Sequence, residues 1–139
     1  MSDRAFIDTN VILYSKDARD ERKQSIADEL IAGGLRDGSL VVSAQVLNEF
    51  YVNVTQKLDP GMSRQDARTV CRSIASVSCE PVTNETIATA WDVQDRFALS
   101  WWDSLVVASA LLARCGRLMT EDLQDGLAID DLRVVNPFA

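Results

Sequence analysis

The sequence contains no histidine. That absence excludes a Ser-His-Asp triad, a Cys-His pair and any histidine-ligated zinc. Acid–base or metal chemistry therefore falls to carboxylates, lysine, tyrosine, cysteine or bound water. Cysteine is scarce: Cys71, Cys79 and Cys115 are odd in number and form no C-x-x-C. A disulfide framework or thiolate metal site is not expected, and a reducing, cytoplasmic setting is. Each cysteine reads as a small buried hydrophobe. No charged segment leading into an apolar core opens the sequence, so no secretory signal is expected. The longest apolar run, Leu105 to Ala113, is about half of what a bilayer span requires, and Ser109 interrupts it. Basic residues are outnumbered: 14 Lys and Arg face 21 Asp and Glu, for a net charge of −7. That balance disfavours coating nucleic acid through a basic surface, yet permits local contact with it.

What is present describes one ordinary domain. The 139 residues show no linker, repeat or low-complexity tract. Hydrophobic residues at 47% and charged residues at 25% match soluble globular proteins. Apolar runs at Ala5 to Ile7, Leu40 to Val42, Leu118 to Met119 and Leu132 to Val135 read as strands. A short strand around Glu80-Pro81-Val82 is expected at a sheet edge because of its proline.

Helical patterns fall between these runs. Asn10 is expected to cap a helix through Tyr14. Ile26, Leu30 and Ile31 share a face of the next, which Gly33-Gly34 is expected to stop. Ser43 caps a helix carrying Val46, Leu47, Phe50, Tyr51 and Val54. Ser63 opens another, and Asn84 to Ala98 a further one. Ser100 caps a helix from Trp101 to Cys115 that is apolar nearly all round and hence central. Strands alternating with helices predict an α/β fold: a parallel sheet with helices on both faces.

Acidic residues are too common for pairs of them to mean anything. An acid inside apolar sequence is different, because carboxylates are rarely buried without a partner. Asp8 follows Phe6-Ile7 at the carboxyl end of the first strand, where open parallel sheets bind ligands; it also suits a helix cap. Glu49 lies between Leu47 and Phe50 with no basic helical neighbour, and otherwise reads as a solvated surface residue. Asp103 opens the most apolar helix, where a Ser100-x-x-Asp103 capping box is compatible with a second role. Asp122 follows the Leu118-Met119 strand in an acidic loop, with Glu121 and Asp125 as neighbouring candidates. In a parallel sheet these places converge on one edge. Carboxylates gathered there must be neutralised or change their pKa values. Without histidine, a hard divalent cation such as Mg²⁺ or Mn²⁺ is the natural solution. Such an ion supports hydrolysis of a phosphodiester.

The same motifs resemble the PIN-domain ribonucleases, specifically the VapC-like toxins of toxin–antitoxin systems. The resemblance rests on Ile7-Asp8-Thr9-Asn10, Asn48-Glu49-Phe50, Trp102-Asp103-Ser104-Leu105 and Thr120-Glu121-Asp122-Leu123-Gln124-Asp125-Gly126. Val135-Asn136-Pro137-Phe138 adds to it, so the likeness runs along essentially the whole chain. It implies a three-layer α/β/α PIN-like domain with a central parallel sheet and Mg²⁺- or Mn²⁺-dependent endoribonuclease activity. Asp8 and Asp103 are then direct metal ligands, and Glu49 and Asp122 complete the pocket, with Asp125 in reserve. Thr9 or Asn10, and Thr120, orient ligands or water. The resemblance further implies an RNA substrate, a homodimer and a small antitoxin partner, for which Trp91, Trp101 and Phe138 are candidate contacts.

Arg64, Arg68 and Arg72 recur every four residues and stack along one helix face. They are expected to touch RNA phosphates, although a solvated face paired with Asp66 explains them as well. Two rivals remain at this level. A phosphatase of the haloacid-dehalogenase type also places an aspartate after its first strand, but requires a second acid where Asn10 stands. A PIN-like binding module without activity is the other.

Overall fold

β1 (Ala5–Ile7) and β2 (Leu40–Ser43) are buried at every position in the computed structural model, which describes residues 2–139. Neighbouring side chains on a strand point to opposite faces, so the sheet is covered on both sides there. β3 (Cys79–Glu80), β4 (Arg117–Met119), β5 (Ala128–Ile129) and β6 (Leu132–Val135) complete a six-stranded sheet in the order β3-β2-β1-β4-β6-β5. All pairings are parallel except β5 with β6. The helices are α1 (Thr9–Ser15), α2 (Glu21–Asp37), α3 (Ala44–Val52), α4 (Arg64–Ile74), α5 (Asn84–Phe97) and α6 (Trp101–Leu112). α1 packs on α2 and α3, α5 packs on α6, and α2, α3 and α6 all reach β2. The mixed α/β architecture with a central, mostly parallel sheet is the one expected.

The core is built from the residues the periodicity selected. Phe6, Ile7, Val41, Val42, Val46, Phe50, Val107 and Leu118 have essentially no exposure. Seven successive residues of α6, Ser104 to Ala110, are buried, which makes it the central helix. Ser43, Ser63 and Ser100 each cap their helix by accepting a backbone N–H from three residues on. No helix among the described residues is long and apolar enough to cross a membrane.

Several boundaries differ from expectation, each for a physical reason. Asp8, not Asn10, is the N-cap of α1: its carboxylate accepts the Thr9 N–H. α2 runs through Gly33-Gly34 and ends at Gly38, in the left-handed conformation at φ 79°. Gly34 serves helix–strand contact instead, since a Cβ there would lie 2.9 Å from Leu40 Cβ. α6 stops at Leu112, and Arg114 turns the chain at φ 57°. β3 ends before Pro81, which has no N–H to donate, and it does lie at an edge. β5 was not expected: two residues are too few to show a period, and its antiparallel pairing is made by a tight turn through Asp130 and Asp131.

Candidate active site

Register puts the site together. Ile7 pairs with Met119, and the Asp8 N–H continues that ladder to the Met119 carbonyl at 3.1 Å. The next residue on each strand, Asp8 and Thr120, therefore emerges beside the other at the carboxyl edge. Thr120 Oγ1 donates to Asp8 Oδ2 at 2.8 Å, and Thr9 N–H donates to Asp8 Oδ1 at 2.7 Å. Asn10 Nδ2 reaches Thr120 Oγ1 at 3.0 Å and Asp122 Oδ2 at 3.1 Å. The Asp122 N–H in turn donates to Thr120 Oγ1 at 3.1 Å.

α3 and α6 bring the other two acids. Glu49 is held from both sides: Thr9 Oγ1 donates to Oε2 at 2.8 Å and Gln45 Nε2 to Oε1 at 3.0 Å. Gln45 Nε2 also donates to the Trp102 carbonyl at 3.3 Å, joining α3 to the first turn of α6. Asp103 sits in that turn, its N–H capped by Ser100 Oγ at 3.1 Å. Asp103 is thus both a first-turn residue of the capped helix and a candidate site acid.

The electrostatics show that the four carboxylates share one region. Asp8 is only 5% exposed, and burial pushes its carboxyl up to about 6. The charges of Asp122 and Glu49 add to the rise, against the hydrogen bonds from Thr120 and Thr9. Burial also raises Asp103, with Asp122 and Glu49 again adding to it. Among the described residues no lysine or arginine forms an ion pair with Asp8, Glu49, Asp103 or Asp122.

The neighbouring acids are committed elsewhere. Glu121 Oε2 pairs with Lys23 Nζ at 2.9 Å, and Oε1 accepts from the Tyr14 hydroxyl at 2.6 Å. Burial raises the Glu121 carboxyl, but the Tyr14 and Lys23 hydrogen bonds and the Lys23 charge outweigh it and hold it low. Asp125 Oδ1 accepts the Asn136 N–H at 2.8 Å and anchors the segment after β6. Asp122 is the loop acid that joins the Asp8 network. Gln45 and Tyr14 are not candidates in the sequence, and nothing there pairs Lys23 with Glu121. Only Gln45 carries a local signal, one helical turn before Glu49; the Lys23–Glu121 pair spans 98 residues.

Arg64, Arg68 and Arg72 are exposed on α4. None of them forms an ion pair among the described residues, Asp66 included. Arg68 Nε donates to the Tyr51 hydroxyl on α3 at 3.2 Å. Of the three apolar candidates for contacts, Trp91 is exposed, Trp101 half-buried and Phe138 buried.

Among the described residues no three acidic or cysteine side chains close into a ready-made cage for an ion. The donor set is nevertheless all oxygen, from carboxylates, hydroxyls and a carboxamide. It fits a hard cation that keeps several waters and takes only one or two carboxylates.

The PIN-domain family profile matches residues 5–124. The chain belongs to the PIN-domain family. No curated protein matches it. Its fold is shared with several solved toxin–antitoxin proteins. A toxin–antitoxin complex from Klebsiella pneumoniae aligns with a TM-score of 0.72 at 18% identity, over 96% of this chain and 97% of that one. VapC20 of Mycobacterium tuberculosis, a toxin that cleaves the sarcin–ricin loop, aligns at 0.63 and 19% identity over 82% and 86%. DNA-bound VapBC from Salmonella typhimurium aligns at 0.66 and 14% identity over 96% and 97%.

Proposed function

We propose that this protein is a divalent-metal-dependent endoribonuclease and the toxin of a toxin–antitoxin pair. One observation carries the reading: Asp8 is buried near Glu49 and Asp122, the same two acids that neighbour Asp103, with no basic side chain paired to any of the four. An uncompensated group of carboxylates is costly, and a site that binds Mg²⁺ or Mn²⁺ is the reason to retain it. Membership of the PIN family sets the phosphatase alternative aside.

In this reading Asp8 and Asp103 hold the ion directly, and Glu49 and Asp122 complete its shell. A bound Mg²⁺ or Mn²⁺ lowers the pKa of water and offsets charge at the phosphodiester under attack. The remaining work belongs to the chain. Thr120 and the Thr9 N–H fix both oxygens of Asp8. Asn10 fixes Asp122, and Thr9 and Gln45 fix Glu49, so the acids are preorganised rather than mobile. Arg64, Arg68 and Arg72 position the strand through its phosphates. The partners we infer are RNA, a small antitoxin and a second copy of the chain, in the cytoplasm.

The test compares the purified protein with Asp8→Asn on total and transfer RNA, with Mg²⁺, Mn²⁺ or EDTA. Discrete cleavage that requires metal and vanishes with Asp8→Asn is the expected result. A folded wild-type protein that leaves the RNA intact with either metal, and whose melting temperature neither metal raises, refutes it.

A further inference from the structure

One surface beside the acids has no role in the reading above. Ala44, Pro81, Val82, Trp102 and Leu105 line an open groove of about 760 Å³, and Glu49 forms part of its wall. Trp102 is 63% exposed and Val82 41%, the two most exposed apolar side chains there. The groove's polar lining is two carboxamides, Gln45 and Asn48, one turn apart on α3, together with Glu49. No basic residue lines it, so it is not built for phosphate. Gln45 Oε1 is buried without a hydrogen-bond partner.

An exposed indole with an exposed carboxamide, Asn48, beside it is the chemistry that recognises a nucleobase. Any base stacks on an aromatic face, and asparagine and glutamine read base edges. Stacking also suits an acidic protein, because it brings a strand close without basic charge. Position decides which base. Trp102 immediately precedes Asp103, and Gln45 bonds both Glu49 and the Trp102 carbonyl. The groove is therefore continuous with the proposed cleavage site.

We propose that this groove binds one unpaired nucleobase of the RNA strand next to the scissile phosphate, stacked on Trp102. The inference rests on the ribonuclease reading for its ligand. Trp102 acts as a specificity and positioning residue, and the exposed Asn48 is the carboxamide free to read the base edge, because Gln45 is held by Glu49 and the Trp102 carbonyl.

Trp102→Ala and Trp102→Phe are made in an Asp8→Asn background, so that bound RNA is not consumed. Each is titrated in Mg²⁺ with single-stranded RNA of about ten nucleotides and with an abasic ribose-phosphate strand of equal length. Trp102→Ala is expected to weaken binding of the base-bearing strand about tenfold or more and to leave the abasic strand unchanged. Trp102→Phe, which keeps a ring, should stay within about threefold of the parent. Equal effects on both strands, or none, overturn the proposal. So does a Trp102→Ala change in sedimentation coefficient at unaltered RNA affinity, which makes the groove a protein interface. Metal-dependent cleavage is scored separately with Asp8 intact. Base-selective binding without cleavage strikes the ribonuclease reading alone, and cleavage indifferent to Trp102→Ala strikes the base platform alone.

Discussion

Thr120 Oγ1 donates to Asp8 Oδ2 at 2.8 Å across 112 residues of sequence. The same oxygen accepts from Asn10 Nδ2 and from the Asp122 N–H, so one fully buried hydroxyl ties both acids to the sheet edge. Thr120→Val keeps the shape and removes all three bonds. It should cost about 1–3 kcal/mol of stability, because Asp8 stays buried without that donor. If the acids work as proposed, it should also lower RNA cleavage by about one to two orders of magnitude, the loss typical of disturbed ligand support. Thermal melts and initial rates on one preparation check both numbers.

Asp8 gives a pH signature in the metal-free protein. Its carboxyl lies at about 6 in the fold against 3.8 for the free group. The folded state thus holds this proton more tightly, and the associated stability is complete below 3.8 and lost as pH rises through 6. Asp8→Asn carries no such dependence. In EDTA the variant should match wild type at pH 3.5 and exceed it at pH 7 by roughly 3 kcal/mol. Urea unfolding at several pH values gives the difference directly, and parallel curves refute it.

The three loop acids should separate cleanly. Asp122→Asn is expected to reduce cleavage by at least about 10-fold, as loss of a carboxylate in a metal shell does. Glu121→Gln and Asp125→Asn should change it less than about threefold, since those side chains bond Lys23, Tyr14 and Asn136 instead. A larger loss with Asp125→Asn than with Asp122→Asn reverses the assignment.

Replacing Arg64, Arg68 and Arg72 together by glutamine tests the α4 stripe. If each neutralises one phosphate of a single strand, the slope of log affinity against log salt should flatten by about 2. An unchanged slope removes α4 from the RNA path.

The acids of this candidate site are easier to read from the sequence than the bonds that support them. Asp8 and Asp103 were legible because an acid in apolar sequence conflicts with its surroundings, and that conflict is local. Asp122 was harder to choose, because Glu121 and Asp125 are equally acidic. What separates them is Lys23, Tyr14 and Asn136, partners 11 to 107 residues away. Nothing in a one-dimensional pattern records such pairings. Gln45 fell between these cases: it was visible as a helical neighbour of Glu49, and its bond to the Trp102 carbonyl was not. The fold followed the same rule. Long apolar periods placed α3 and α6, whereas β5 is too short to have a period. Gly33-Gly34 looked like a stop because its real use, the approach of Leu40, lies outside the local sequence.

β4 stands in the middle of the sheet, between β1 and β6, although it is formed late in the chain. During synthesis β1 precedes every other strand, then waits for its second neighbour until Met119 has been added. Thr120, Asn10 and Asp122 cannot meet before that moment. The acidic pocket is therefore absent from every shorter nascent chain, whatever chemistry it performs when complete.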